Sequence, residues 1–275
     1  PPRSTLFPYT TLFRSEEDSD RDGTRETVTF LEGGKKVRTE KDRNSDGQAD
    51  LIAWYEGERV VRQEEDSNFD GTLDLRSQSG KGGRSTQEAD TNGDGATDVW
   101  IVLDSNGRVL ERREDRSGDG KPDFEVWFEN DKAVRLEQDT KGAGCADLKE
   151  WYDANGRVRA RYQDTTGNCK TDLWTYLSND VILRQGQDTS GNGRPNTLIH
   201  YDASGKATAQ EVASSGRQPD KKFLLGPGGV VKAQCTLSED GKTLNTRADV
   251  DSSGTVVAVL TDTSGNGVAD QRIVY

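Results

Sequence analysis

Methionine is absent from this chain, histidine occurs once, and apolar residues make up only 30% of it. Each shortage excludes something. The missing methionine fits a sequence whose native start lies outside it. A lone histidine, His200 in "TLIHYD", forms neither a catalytic base pair nor a zinc site, so a structural role is expected. The small apolar share rules out a thick two-sided core. No apolar run approaches the ~18 residues that a spanning helix needs, so no membrane insertion is expected. Basic residues are also short, 37 Lys and Arg against 49 Asp and Glu, for a net charge of −12. That balance disfavours nucleic acid and anionic membranes as partners, because both require basic surface. No glycine-rich phosphate loop opens a helix, and no serine or cysteine stands in a nucleophile motif. A non-enzymatic protein is expected.

Residues 1–15 differ from all that follows. "TLFPYTTLFRS", residues 5–15, has no acid and no glycine. Reverse-translated with one ordinary codon choice, it spells a widely used short-read sequencing adapter. Residues 1–15 are therefore read as an adapter artefact and not native. Setting aside Arg3 and Arg14 takes the basic count from 37 to 35 against 49 acids, a net of about −14.

What is present is a repeat. Loops of one type start at Asp18, Asp42, Asp66, Asp90, Asp115, Asp139, Asp164 and Asp188, and the register returns at Asp262. Two degenerate units fit near 212 and 237. The clearest loops read "DRNSDGQAD", "DSNFDGTLD", "DTNGDGATD" and "DRSGDGKPD". A short run rich in aromatic and β-branched residues follows each, such as "LIAWY", "VWIVL" or "FEVWF", which is a strand pattern. A tight turn such as "DSNG" or "DANG" then leads into a second strand. Asn-Gly between strand patterns signals a hairpin, because both turn residues must tolerate positive φ.

The expected fold is all-β: an elongated repeat protein of antiparallel β-hairpins, about 24 residues per repeat, with the acidic loops along one edge. A β-propeller and a β-solenoid are the alternatives. Residues 16–205 carry the regular repeats, and 206–275 carry degenerate repeats and a C-terminal cap. Leu51, Ala53 and Tyr55 should share one face of the sheet and Trp54 the other. In layout the unit resembles the MORN repeat, without its glycine pattern.

The loop D-x-[DN]-x-D-G-x-x-D carries the chemistry. A hard cation such as Ca²⁺ takes six to eight oxygens, and acids at alternate positions around a glycine-permitted turn can aim at one centre. The motif resembles the first nine positions of an EF-hand loop and the calcium loops of thrombospondin type 3 and integrin-type FG-GAP repeats. That resemblance implies metal ligation at positions 1, 3, 5 and 9. In loop one these are Asp18, Asp20, Asp22 and Glu26, and in loop two Asp42, Asn44, Asp46 and Asp50. Loop three offers Asp66, Asn68, Asp70 and Asp74, and loop four Asp90, Asn92, Asp94 and Asp98. Loop five offers Asp115, Ser117, Asp119 and Asp123. The twelfth position, a bidentate Glu in the EF-hand, is Ala53, Ile101 or Val126 here, so the helix-pair switch is not carried over. Later loops lose acids: "DTKGAGCAD" puts Lys141 at a ligand position, "DTTGNCKTD" replaces its glycine with Cys169, and "DTSGNGRPN" keeps one acid. Loops one to five are expected to bind calcium, and six, seven, eight and the last to be weak or empty. The alternative is that these segments are Asx-type turns without metal.

Cys145 and Cys169 fall at nearly equivalent places in neighbouring loops, two strands or about 9.6 Å apart. A disulfide needs its Cα atoms within roughly 7 Å. A bridge is favoured if the loops lean together, with two free thiols as the alternative; Cys235 has no evident partner. Trp54, Trp127 and Trp151 share one repeat position with Tyr176, and are expected to pack on each other and on Arg62, Arg135 and Arg159. The resulting expectation is a calcium-binding structural or adhesive repeat protein of the cell surface, extracellular space or periplasm. Its partners would be calcium ions and a surface protein or glycan. A carbohydrate-binding module using the aromatic row, and an accessory region of a larger secreted enzyme, are the alternatives.

Overall fold

In a computed structural model the chain is described over residues 12–19, 21, 23–214, 218–238, 241 and 243–275. It divides into two compact units, Pro1–Asp131 and Lys132–Tyr275. The first holds strands β1 (Leu12–Glu17), β2 (Thr27–Glu32), β3 (Lys35–Lys41), β4 (Leu51–Glu56), β5 (Arg59–Glu65), β6 (Leu75–Ser79), β7 (Ser85–Ala89), β8 (Val99–Leu103), β9 (Val109–Glu114) and β10 (Phe124–Glu129). Each pairs antiparallel with its neighbour in sequence. β1 takes in residues 12–15 of the segment set aside above, with Phe13 opposite Leu31 and Arg14 opposite Phe30.

The second unit repeats the pattern with β11 (Lys132–Gln138), β12 (Leu148–Tyr152), β13 (Val158–Gln163), β14 (Leu173–Ser178), β15 (Val181–Gln187), β16 (Thr197–Tyr201), β17 (Ala207–Val212), β18 (Lys221–Leu225), β19 (Val231–Leu237), β20 (Leu244–Val250), β21 (Val256–Thr261) and β22 (Gln271–Val274). Pairing is again antiparallel from each strand to the next. The expected hairpin repeat is thus the observed fold. Ladders that run on without interruption through each unit exceed a four-stranded propeller blade, and antiparallel hairpins exclude stacked solenoid coils. Both degenerate segments, between β17 and β18 and between β19 and β20, keep the alternation.

Two kinds of connection alternate. Tight turns link even strands to odd ones within each unit. At the turn between β14 and β15, Asn179 and Asp180 have φ of 49° and 64°. Those values are the left-handed pair that a two-residue hairpin requires. Some five-residue turns use an aspartate instead: Asp104 Oδ1 accepts the N–H groups of Asn106 at 2.8 Å and Arg108 at 2.9 Å. The acidic loops make the other connections, from odd strands to even ones. In a meander this places the loops of one unit on a common edge.

Little of either face is covered. The buried apolar residues are small: Ala53, Val126, Ala209, Ala213, Ala233, Cys235 and Ala258. Cross-strand pairs take over the work of a core. Arg38, Trp54 and Arg62 lie opposite one another on β3, β4 and β5. The two guanidinium carbons stand 5.5 and 4.6 Å from the indole centroid. In the second unit the matching row runs Arg135, Trp151, Ala160, Tyr176, Arg184. Arg135 meets Trp151 at 5.7 Å and Arg184 meets Tyr176 at 4.3 Å. Ala160, not Arg159, faces Trp151, and Tyr162 packs on the indole at 4.5 Å. Burial, with the Tyr176 hydroxyl beside it, pushes the Tyr162 phenol up to about 12. A phenol pKa raised on folding adds stability below its ordinary value of 10.0, and that contribution disappears as pH climbs through about 12. Ultraviolet titration of wild type against Tyr162→Phe should therefore assign one late phenolate near pH 12 to this residue.

Candidate metal centres in the acidic loops

Every regular loop is built on its first and ninth residues. In loop two, Asp42 Oδ1 accepts the N–H of Ser45 at 2.7 Å and Oδ2 accepts that of Gly47 at 2.8 Å. Asp50, at position 9, accepts the N–H groups of Arg43 and Asn44 at 2.6 and 3.2 Å. Loops three, four and five repeat this through Asp66 and Asp74, Asp90 and Asp98, Asp115 and Asp123. In loop one Asp18 binds the N–H of Arg21 and Gly23, and Glu26 binds that of Ser19. Asp20 and Asp22 lie outside the described residues. Wrapping four N–H groups onto two carboxylates forces left-handed backbone at positions 4 and 6. Gly47 sits at φ 89°, and Ser45 and Phe69 accept φ near 60° at position 4. These anchors are well covered: Asp50 is 1% exposed, Asp66 3% and Asp98 5%.

The eroded loops keep the same frame. Asp164 accepts the N–H of Gly167 and Cys169, Asp188 that of Gly191 and Gly193, and Asp262 that of Gly265 and Gly267. Even Asn196, replacing the position-9 acid, accepts the N–H of Thr189 at 2.9 Å. Positions 1 and 9 thus serve the turn itself, whatever the loop binds. The difference between loops lies at positions 3 and 5, which are exposed in loops two to five. Asp46, Asp70, Asp94 and Asp119 each accept one N–H, from the residue two further on. Asn168, Asn192 and Asn266 accept the same N–H with an amide oxygen. A carboxylate at position 5 is therefore not required by the fold. In loops two and three its second oxygen also meets the position-3 amide: Asn44 Nδ2 to Asp46 Oδ2 at 2.9 Å, and Asn68 Nδ2 to Asp70 Oδ2 at 3.0 Å.

Successive loops also meet directly, which composition alone does not reveal. The N–H of position 1 donates to the carbonyl of position 9 in the preceding loop: Asp66 to Asp50, Asp90 to Asp74 and Asp115 to Asp98, each at 2.8 Å. Two aspartates of like charge thus stand side by side at each of these three seams, an arrangement that repels. Among the described residues no lysine or arginine forms an ion pair with any of these six. No group of three or more His, Cys, Asp or Glu side chains converges as a metal-holding cluster among the described residues. Where loops two and three meet, Gln48 at position 7 packs over Gly71 at position 6, about 3.6 Å from where a Cβ would stand. The same contact between loops six and seven is covalent. Cys145, at position 7, is bonded to Cys169, at position 6, with Cα atoms 5.8 Å apart. The loops lean together as the bridge required, and the disulfide points to an oxidising environment. Cys235 is free and buried.

Proton competition follows from the same bonds. Burial alone would raise the Asp188 carboxyl, but the Ser190 hydroxyl and the N–H groups of Gly193, Ser190 and Gly191 outweigh it and bring it to about 2. Asp115, Asp139, Asp164 and Asp262 move down for the same reason. A carboxyl lowered on folding contributes stability above its unfolded value, here 3.8, and the contribution is lost as pH falls toward about 2. With a chelator present, the amide NMR signals of Gly191 and Gly193 should hold their positions at pH 4 and move between 3.8 and about 2. A transition completed above pH 4 would contradict this origin.

No family model and no curated protein matches this chain. Solved structures give only distant likenesses. One is a mutant of TarM from S. aureus, at TM-score 0.24 and 11% identity, covering 45% of this chain and 21% of that one. Another is BamB from Moraxella catarrhalis, at TM-score 0.18 and 13% identity, covering 82% and 71%. A porin-like protein from Bacteroides uniformis reaches TM-score 0.16 at 10% identity, covering 94% and 92%. The chain spans about a fifth of the first of these.

Proposed function

We propose that the chain is a calcium-binding structural or adhesive repeat protein, non-enzymatic, acting in the extracellular space, at a cell surface or in the periplasm. Loops one to five hold the metal. The observation that carries this reading is the position-5 carboxylate. Loops two to five keep Asp46, Asp70, Asp94 and Asp119, exposed, where an amide does the same structural work in loops seven, eight and the last. With positions 1, 3 and 9 they would supply the oxygen-only donors that suit a hard cation. Bound metal would offset the repulsion at the aspartate seams and stiffen the loop edge of a sheet that has little apolar core.

Partners in this reading are calcium ions, with a surface protein or glycan beyond them. The aromatic row is less suited to sugar stacking than an open platform, because arginines cover the Trp54 ring. Calorimetric titration of the whole chain with calcium tests the proposal. Heat is expected from sites in loops one to five, with one site fewer in Asp94→Asn and no change in that variant's melting under chelation. Absence of heat up to millimolar calcium would overturn it.

A further inference from the structure

Loop six departs from the others in a way its acid count does not explain. Its third position, an amide or hydroxyl in loops two to five, is Lys141, and the side chain does not swing out to solvent. Lys141 Nζ donates to the backbone carbonyl of Asp164 at 2.6 Å and lies 4.0 Å from Asp147 Oδ2. Asp147 is position 9 of loop six and Asp164 is position 1 of loop seven. They form the same seam as Asp50 with Asp66, since the Asp164 N–H donates to the Asp147 carbonyl at 2.9 Å. Both aspartates are buried, at 6% and 4% exposure. The methylenes of Lys141 run past Gly167, where a Cβ would stand 3.9 Å from Cδ. The ammonium therefore rests at this seam, which is also the one closed by the disulfide.

We infer that Lys141 is a tethered cation replacing bound metal at the junction of loops six and seven, so that this junction is held by the chain itself and does not respond to calcium. The inference rests on the calcium reading of loops one to five. The carboxylate-rich loops all belong to Pro1–Asp131, and the self-sufficient junction belongs to Lys132–Tyr275. Loss of calcium would then loosen the first unit and leave the second folded. A reductant would act on the second alone.

Two variants make the test specific. Lys141→Asn with Ala143→Asp turns "DTKGAGCAD" into a loop matching "DTNGDGATD" of loop four at positions 1 to 6 and 9. Calorimetry on the whole oxidised chain should count one calcium more in this double variant than in wild type. Lys141→Gln, measured under chelation, should melt about 2–4 °C lower than wild type, and calcium should not restore it. If wild type binds calcium but the double variant gains no site, or if Lys141→Gln melts unchanged, the tethered-cation inference is overturned and the calcium reading stands. If wild type takes up none, the calcium reading of loops one to five falls and the inference that rests on it falls too, even where the double variant takes up one. If neither takes up calcium, both fall.

Discussion

Serine replacement of both Cys145 and Cys169 is expected to destabilise the unit Lys132–Tyr275 by about 3 kcal/mol, while leaving Pro1–Asp131 unchanged. The bridge closes a loop of 24 residues. In the chain-entropy description, the conformations removed from the unfolded state by a loop of that size set the magnitude. A second contribution acts through the native loop. Cys169 holds φ at 64°, a left-handed value that costs a residue with a Cβ about 1 kcal/mol or more. Glycine occupies this position in the other regular loops, so Cys169→Gly with Cys145→Ser should recover part of the loss. Urea unfolding followed by tryptophan fluorescence reads both variants. Equal stability of the oxidised and reduced wild type would remove the bridge from the account.

The second large effect is at Asp50. Asp50→Ala leaves the N–H groups of Arg43 and Asn44 without the carboxylate that binds them, in the most completely buried polar side chain described. Hydrogen bonds to a charged acceptor are worth roughly 1.5–3 kcal/mol, and the orphaned donors add their own desolvation. A loss of about 3 kcal/mol in chelator is expected on that ground. Asp50→Asn, which retains one oxygen acceptor, should lose about half as much. Asp46 provides the contrast. It is exposed and accepts a single backbone N–H that an asparagine also satisfies, so Asp46→Asn should be nearly silent in chelator and costly only when calcium is present. An Asp46→Asn variant that melts low without metal would show that position 5 has a structural duty after all.

Much of this fold was legible because the hairpin unit is written in local chemistry. Period-two strands such as "LIAWY", the Asn-Gly turns and the recurring aspartate fix which residues face which way, and Trp54 with its arginine neighbours falls where the alternation puts it. The degenerate units near 212 and 237 were legible for the same reason. A strand pattern survives there although the loop between is eroded. Three features were not legible. Residues 12–15 were set aside on their origin, yet alternate suitably enough to pair with β2. The approach of the cysteines was hidden because strand spacing alone puts equivalent points about 9.6 Å apart. In the folded chain the Asp164 N–H bonds the Asp147 carbonyl beside them, and the two cysteine Cα atoms stand 5.8 Å apart. Last, counting acids at positions 1, 3, 5 and 9 treats the four as equal. Only the hydrogen bonds separate the two that build the turn from the two that the turn leaves over, and only coordinates show the Lys141 ammonium reaching into the next loop.

Thermal unfolding of the whole chain, in millimolar calcium and again in excess chelator, tests the central claim most directly. Each site filled at a hundredfold excess over its Kd contributes about 2.7 kcal/mol to the folded state. With several sites in Pro1–Asp131, that unit is expected to melt more than about 10 °C higher in calcium, while Lys132–Tyr275 holds its midpoint. Superimposable curves in the two buffers would contradict the account.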